Sequence, residues 1–353
     1  MKEVLVHPGS RTEIIDSAVP SPDALQVVIK VVVSGTNPKD WKLPEWTSAS
    51  LNQGDDIAGI VHTIGSGVKE FKPGDRVAAF HEMGTPGGSY AEYGVAWDHT
   101  TFHIPGNISF EEAATLPLAF MTSALGLYYN LRLPSPWTPT DKPTPLIVYG
   151  GSSAVGSFAI KLAKLSNIHP IIAIAGAGAS FVESLIDRSK GDAIVDYRRG
   201  DSAVITGIRD AVAQAGCDKV EYAFDATTAS NSWANIASTL TPTGSITFVL
   251  YDWQGKGLPE TLKLTQTHVG VVHGTTDHDS SAAQSGLVVG ARAFGLAWYR
   301  LLGLGLREGW MTPHPHEDVK GGLKSVGKVL EDLKAGKASA FKYVLRISET
   351  EGI

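Results

Sequence analysis

Cysteine is nearly missing from this sequence: the 353 residues include one, Cys217. A single thiol forms no intrachain disulfide and builds no cysteine-rich zinc site. Long apolar runs are missing as well. The longest candidate, 286–306, is broken by Arg292, Arg300 and five glycines, so no membrane-spanning helix is expected. Positive charge is not in surplus either. Thirty basic residues stand against 36 acidic ones, a formal charge of −6, which argues against electrostatic binding to nucleic acid or to an anionic membrane. No apolar run follows basic residues near the N-terminus, so no secretory leader is expected and the default expectation is a cytoplasmic enzyme. Internal repeats and low-complexity segments are also absent.

What is present is a globular composition. Forty-three per cent of the residues are hydrophobic and 19% charged, enough for sizeable cores, and the length suits two domains of roughly 150 residues each. The first 115 residues hold short β-type runs such as Leu25 to Val33, Asp56 to Ile64 and Arg76 to Phe80. Lys72-Pro73-Gly74-Asp75 reads as a tight turn between two of them. This half is expected to be an all-β, partly open barrel. Ser109-Phe110-Glu111-Glu112 is a capping box that opens a helix over 110–114, and a second helix is expected from Met121 to about Leu131. Five prolines between 134 and 145 forbid regular structure there.

From Leu146 to His273 the character changes to alternation. Apolar runs sit at 146–149, 170–175, 193–195, 220–224, 245–251 and 268–273, with helical stretches such as 154–166 and 181–188 between them. This pattern predicts βαβ units and a parallel sheet covered by helices on both faces, with six strands, as in a full dinucleotide-binding sheet. Helices are expected over 294–306 and 321–333, and a last strand over 341–347 that rejoins the first domain.

The segment Val148-Tyr149-Gly150-Gly151-Ser152-Ser153-Ala154-Val155-Gly156 follows a strand and opens a helix. Glycines let the backbone approach a pyrophosphate, and the helix N-terminus offers it free N–H groups and a positive dipole end. Ser152 and Ser153 are expected to add hydroxyl donors. The spacing departs from the strict G-x-G-x-x-G fingerprint, and a glycine-rich turn also serves packing alone. A carboxylate at the end of the second strand would select NAD; a cation would favour the 2′-phosphate of NADP. Residues 173–180 are neutral and the next strand ends Asp196-Tyr197-Arg198-Arg199. NADPH is therefore favoured, with Arg198 or Arg199 either attracting the phosphate or standing as solvated loop charges.

Six motifs occur in order: Asn37-Pro38-Lys39-Asp40, Gly54-Asp55-Asp56-Ile57-Ala58-Gly59, Phe71-Lys72-Pro73-Gly74-Asp75-Arg76-Val77, Gly87-Gly88-Ser89-Tyr90-Ala91-Glu92-Tyr93, Glu112-Ala113-Ala114-Thr115-Leu116-Pro117 and the Gly150–Gly156 loop. Together they resemble the zinc-free quinone-reductase and enoyl-reductase branch of the medium-chain dehydrogenase/reductases. Asn37 to Lys42, the proline-rich excursion and Lys342 to Arg346 are most similar to the fungal stand-alone enoyl reductases that work in trans with polyketide synthases. The resemblance implies a GroES-like, partly open β-barrel catalytic domain (1–120 and 286–353), a Rossmann domain with a doubly wound parallel sheet (121–285), and a cleft between them.

It also implies residue roles. Zinc members carry Cys and His where this chain has Asn37 and Asp55, so no metal ligands are expected. Asn37 is placed near the nicotinamide ribose. Gly151, Ser152, Ser153, Ala154 and Val155 are placed at the pyrophosphate, and Gly178, Ser180 and Tyr197 around the 2′-phosphate. Val249 and Leu250 would line the nicotinamide, and Phe341 and Lys342 would close the cleft. Ala179 stands where the family often has a basic residue, which leaves NADH open beside NADPH. Lys42 is the candidate to stabilise an enolate or deliver a proton, against a surface-lysine alternative. Thr122 is the candidate to bond the substrate carbonyl or the nicotinamide amide, against a helix N-cap alternative. His273 and Gly274 are placed at the substrate, though a histidine at a strand end is usually structural.

The expected activity is NADPH-dependent reduction of the C=C bond of an α,β-unsaturated carbonyl or enoyl thioester. The substrate is small or carrier-bound, a polyketide synthase is the candidate partner, and the chain is a monomer or homodimer. Alternatives are a quinone reductase, a cofactor-binding accessory protein with little catalysis, and a zinc alcohol dehydrogenase.

Overall fold

The computed structural model describes residues 1–254, 256–274 and 288–353. The chain divides into two units, Met1–Leu118 with Gly270–Ile353, and Ala119–Val269. The expected boundary at 120/121 falls two residues later than the observed one. The expected boundary at 285/286 lies outside the described residues, and the second unit ends already at Val269.

The first unit is organised by one long strand, Gln26–Gly35. Its Val27, Val28, Ile29, Val31 and Val33 are all buried, and Val27, Ile29 and Val31, two residues apart, join the core of this unit. Asp56–Ile64 pairs along one edge. The other edge is shared: Gln26 to Lys30 pair with Tyr93–Trp97, and Val33 to Gly35 pair with the C-terminal strand Lys342–Arg346. The sheet runs His316–Val319, Lys342–Arg346, Gln26–Gly35, Asp56–Ile64, Arg76–Phe80 and Thr101–His103. All its neighbours are antiparallel except the first pair. Register shifts near Val28 and Val31 mark the irregularities by which a strand bends. The expected return of the last strand to the first domain is therefore observed. Val4, Val6, Val27, Ile57, Leu330, Leu345 and Ile347 share one core, so both chain ends are tied into it.

Local signals behaved as chemistry dictates. The turn at 72–75 closes with the Asp75 amide donating to the Lys72 carbonyl at 3.1 Å, and Gly74 takes φ +94°. Ser109 caps the helix Phe110–Ala113, and Glu112 reaches back to the cap, completing the box. A long helix, Val288–Glu308, precedes a shorter one, Val326–Lys334.

The second unit is a six-stranded parallel sheet. Its order is Ala193–Asp196, Ile171–Ala175, Leu146–Tyr149, Tyr222–Asp225, Ser245–Phe248 and Lys263–Gln266. In chain order that is third, second, first, fourth, fifth, sixth: a doubly wound sheet whose direction reverses between Leu146–Tyr149 and Tyr222–Asp225. Helix Ala154–Leu165 turns Phe158, Ala159, Ile160, Leu162 and Ala163 inward. Residues 134–145 contain no helix or strand.

Two expectations need correcting. The sixth strand is Lys263–Gln266, and Val269–His273 is a short 3-10 helix. An edge strand has a neighbour on one side only, so its polar sequence gave no hydrophobic signal. The valine run is apolar because Val269, Val271 and Val272 are buried in a turn. The helix expected over 181–188 is Ala179–Glu183 followed by a separate turn, Arg188–Lys190; Asp187 caps that turn by accepting from the Ser189 amide.

Replacing Ser109 with Ala removes one reciprocal cap. We expect a loss of about 1 kcal/mol in urea denaturation, with the far-ultraviolet circular dichroism spectrum unchanged.

Candidate functional site

In the second unit the candidate residues gather at the carboxyl ends of the parallel strands. Gly150 follows Leu146–Tyr149 with φ +80°, and a Cβ there would meet Thr227 Cγ2 at 2.3 Å. Only glycine fits both the backbone and the space. The Gly150 and Gly151 amides donate to the Ile174 carbonyl at 3.0 and 2.9 Å. Ser152, Ser153, Ala154 and Val155 are half-buried, and Ala154 and Val155 are the first two residues of the helix. Their amides have no intrahelical acceptor by position. This turn fits a pyrophosphate group.

Ser153 is not the free donor that was expected. Its hydroxyl donates to the Gly150 carbonyl at 2.8 Å and accepts from the Gly156 amide at 3.0 Å. It is the N-cap of helix Ala154–Leu165, which leaves Ser152 as the loop's hydroxyl candidate.

Gly178 precedes helix Ala179–Glu183 and Ser180 is exposed in its first turn. Tyr197 lies against the same bend, since a Cβ on Gly176 would meet its ring at 2.6 Å. The structure thus brings the strand end at 176 and Tyr197 together. Arg198 is engaged, its guanidinium bonding the Asp196 carboxylate at 2.6 and 2.9 Å. Those hydrogen bonds hold the Asp196 carboxyl down at about 2. Val249 and Leu250 follow the fifth strand, with their amides donating to the Asp225 carbonyl and Thr228 Oγ1.

Sequence reasoning missed Asp225 and the loop after it. The buried Asp225 carboxylate accepts from Ser232 Oγ at 2.5 Å and from the Thr228 and Thr227 amides at 2.7 and 3.1 Å. Burial raises its pKa against those bonds. Thr228, Ser230 and Asn231 take φ of +47°, +51° and +61°, backbone strain of the kind that concentrates at functional loops. An Asp followed by Ala-Thr-Thr is an Asx-turn signal that was available in the sequence.

Thr122 is buried inside helix Pro117–Ala124, so the N-cap alternative is excluded. It belongs to the second unit and Lys42 to the first. Lys42 is half-buried on helix Lys39–Thr47, with its ammonium 5.4 Å from the Trp41 ring and 5.8 Å from the Trp46 ring. Cation–π attraction thus restrains a flexible side chain, unlike a freely solvated surface lysine.

The first unit also holds a buried charged cluster that the sequence reading did not assemble. Asp56 is fully buried. One of its oxygens accepts from Asn37 Nδ2 at 2.7 Å and from the Lys342 ammonium; the other accepts from the Leu118 amide at 2.7 Å. Lys342 also donates to Asn37 Oδ1 at 3.0 Å. Asn37 and Lys342 are therefore brought together, but around Asp56, and their polar atoms serve that cluster. Phe341 packs edge-on against Tyr343 with ring centroids 5.1 Å apart. His273 is buried beside Phe80 at 4.5 Å between ring centroids, and Gly274 follows it at φ +69°.

Beside Asp56 lie Lys39, Asp40, Asp55 and Tyr90. The Lys39 ammonium sits 2.6 Å from Asp55 Oδ2, 3.2 Å from Asp40 Oδ1 and 2.6 Å from the Gln53 carbonyl oxygen. Tyr90 donates to Asp40 Oδ2 at 2.6 Å. Burial pushes Asp40 and Asp55 up to about 6, with the Lys39 charge opposing it. Burial alone would lower Lys39, but the two carboxylates outweigh it and hold the ammonium above the ordinary lysine value. Burial, with the Asp40 charge, keeps the Tyr90 hydroxyl protonated far above neutrality.

These features define a class first: a GroES-like unit and a Rossmann unit, the architecture of the medium-chain dehydrogenase/reductases. Residues 23–106 match the alcohol dehydrogenase GroES-like domain family. The fold is similar to a crystal structure of a putative zinc-dependent alcohol dehydrogenase protein from Rhizobium etli, with TM-score 0.79, 21% identity and 98% of each chain covered. Closer in sequence is the trans-enoyl reductase fsr4 of Gibberella fujikuroi, 45% identical over 326 residues and 91% of each chain. A chloroplastic quinone-oxidoreductase homolog of Spinacia oleracea is 32% identical over 54% of this chain and 58% of its own. The chain belongs to the trans-enoyl reductases, oxidoreductases of the zinc-free medium-chain branch, a branch whose members generally use nicotinamide cofactors. Among the described residues no helix is long and apolar enough to cross a membrane.

Two variants test this geometry. Asp56→Asn leaves the Lys342 ammonium buried without its countercharge and should cost about 3–5 kcal/mol in denaturant unfolding. Gly150→Ala should lower cofactor affinity, read by fluorescence titration, because the new Cβ displaces either Thr227 or the turn.

Proposed function

We propose that this protein is an NADPH-dependent reductase of the C=C bond in α,β-unsaturated thioesters or carbonyls, acting in trans on a carrier-bound or small enoyl substrate. The observation that carries this reading is the 45% identity to a trans-enoyl reductase over nine tenths of both chains. A cytosolic enzyme serving a polyketide synthase is the setting that reading implies.

The residues have distinct tasks in it. The helix N-terminus at Ala154 and Val155 holds the pyrophosphate, with Ser152 as the added hydroxyl. Gly178, Ser180 and Tyr197 receive the adenosine end. The absence of a carboxylate from Gly176 to Ser180 supports NADPH, because an acid there would repel a 2′-phosphate. Since Arg198 is paired with Asp196, Arg199 and the exposed Ser180 are the groups left to meet the phosphate.

The bound nicotinamide supplies a hydride to Cβ of the substrate. Charge then develops on the substrate carbonyl oxygen, and Cα must gain a proton. The Lys42 ammonium is suited to both: it stabilises the enolate oxygen as a cation or donates its proton to Cα, recovering one from water. Trp41 and Trp46 keep that ammonium in place. The Thr122 hydroxyl orients the carbonyl or the cofactor amide.

The same scaffold serves quinone reduction, a second reading favoured by the 32% identity to the spinach homolog. Purified protein should consume NADPH faster than NADH with a trans-2-enoyl N-acetylcysteamine thioester. Naphthoquinone turnover without enoyl turnover would establish the second reading, and no turnover of either would reject both. Lys42→Met should lower kcat roughly a hundredfold, while KM for NADPH stays within a factor of about three of the wild type.

A further inference from the structure

Helix Pro117–Ala124, which carries Thr122, does not continue as an α-helix. From Leu125 to Asn130 it widens into a π-turn, closed by the Leu131 amide donating to the Gly126 carbonyl at 3.0 Å. Such turns are rare and are frequently found at functional sites. This one has a geometric consequence. In an α-helix, positions five apart stand about 140° apart around the axis. The wider turn, bonded five residues apart, brings them back to one side. Ser123 and Tyr128 are five apart, and both meet helix Ala154–Leu165. The Ser123 hydroxyl lies 2.7 Å from the Val155 carbonyl oxygen, and Tyr128 donates to the Leu162 carbonyl at 2.8 Å. Phe120 adds an edge-on contact with Phe158, ring centroids 6.1 Å apart.

At its far end the segment is tied to the sheet. Asn130 Nδ2 donates to Thr267 Oγ1 at 2.8 Å and lies 3.3 Å from Thr247 Oγ1. Thr247 is on the strand that runs into Val249 and Leu250. Gly126 lies so close to Phe224 that a Cβ would meet its ring at 2.2 Å. The stretch 119–130 is thus fixed between the helix that opens at the glycine-rich turn and the strand that leads to Val249 and Leu250. All of these contacts lie within the second unit.

Ser123 is the tie nearest the glycine-rich turn, and it is fully buried. A serine inside a helix commonly bonds the carbonyl four residues back, and Ala119 O is 2.9 Å away. The closer acceptor is nevertheless Val155, the second residue of the other helix. We propose that Ser123 is a positioning residue. Its hydroxyl registers the helix that carries Thr122 against the helix start that receives the pyrophosphate, so that binding of the cofactor's phosphates sets where the Thr122 hydroxyl points. The proposal rests on the reductase reading for the role of Thr122, and on the glycine-rich turn for the phosphate.

The test has two arms. The first is a cycle of Ser123→Ala, Thr122→Val and the pair, assayed with the trans-2-enoyl N-acetylcysteamine thioester. Ser123→Ala should lower kcat about tenfold, with KM for NADPH within a factor of about three of the wild type. In the Thr122→Val background the same change should lower kcat no further, because Ser123 acts through Thr122. Equal loss in both backgrounds, an unchanged kcat in Ser123→Ala, or a Ser123→Ala chain that does not fold would overturn the proposal and leave Ser123 a structural serine. The second arm needs no turnover. It measures amide hydrogen exchange of Leu125–Asn130 with and without 2′-phospho-ADP-ribose, the cofactor lacking its nicotinamide. The ligand should slow exchange there in wild type, and Ser123→Ala should bind it without that slowing. No slowing in wild type, or equal slowing in the variant, overturns the coupling. A chain that shows the exchange response but reduces no enoyl substrate keeps the coupling and rejects the reductase reading instead.

Discussion

The Asp56 carboxylate is the group on which the first unit depends. It sits at the start of a central strand, fully buried, and it joins three distant parts of the chain: Asn37 before the helix Lys39–Thr47, the Leu118 amide at the head of the next segment, and Lys342 on the C-terminal strand. Burying an ion costs several kcal/mol unless partners replace its water. This one has a cation, a side-chain amide and a backbone amide. The arrangement turns an expensive residue into a fixed reference point, because each partner has one place to be. The C-terminal strand is docked by this charge as well as by pairing with Gln26–Gly35.

In the second unit the constraint is steric. The sheet reverses its order beside Leu146–Tyr149, and the strand leaves into a turn where Gly150 is crowded by Thr227. Thr227 is placed by its bonds to Asp225. The glycine-rich turn is therefore shaped from the neighbouring strand. The strained residues Thr228, Ser230 and Asn231 lie in the same loop, held by a carboxylate that sequence reading passed over. The Ser153 hydroxyl shows the same economy: it caps helix Ala154–Leu165 and bonds back to the Gly150 carbonyl, holding the turn to the helix start.

Much of this was legible in the sequence because it is local. Asp56–Ile64 and Arg76–Phe80 were found to the residue as short β-type runs. The capping box at Ser109 needs four consecutive residues, and the four internal strands of the Rossmann sheet are continuous hydrophobic runs, while the edge strand Ala193–Asp196 was legible from its Ala-Ile-Val run. The sixth strand failed because an edge position relaxes the demand for apolar residues, while the valines of 269–272 owe their burial to a turn. Thr122 was open between cap and helix interior because helix starts are set by packing as much as by the residue at the cap.

By itself the sequence determined the two folds, the glycine-rich turn, the scarcity of cysteine and the membership of an oxidoreductase family, since periodicity, turn chemistry and ordered motifs are carried by neighbours along the chain. Only the tertiary structure decided that Asn37 and Lys342 close on Asp56, that Lys39 is gripped by Asp40, Asp55 and the Gln53 carbonyl, and that Arg198 is spent on Asp196. Those outcomes depend on which charges meet once water is excluded. Buried electrostatics is a property of the three-dimensional neighbourhood, and residues far apart in sequence supply its partners.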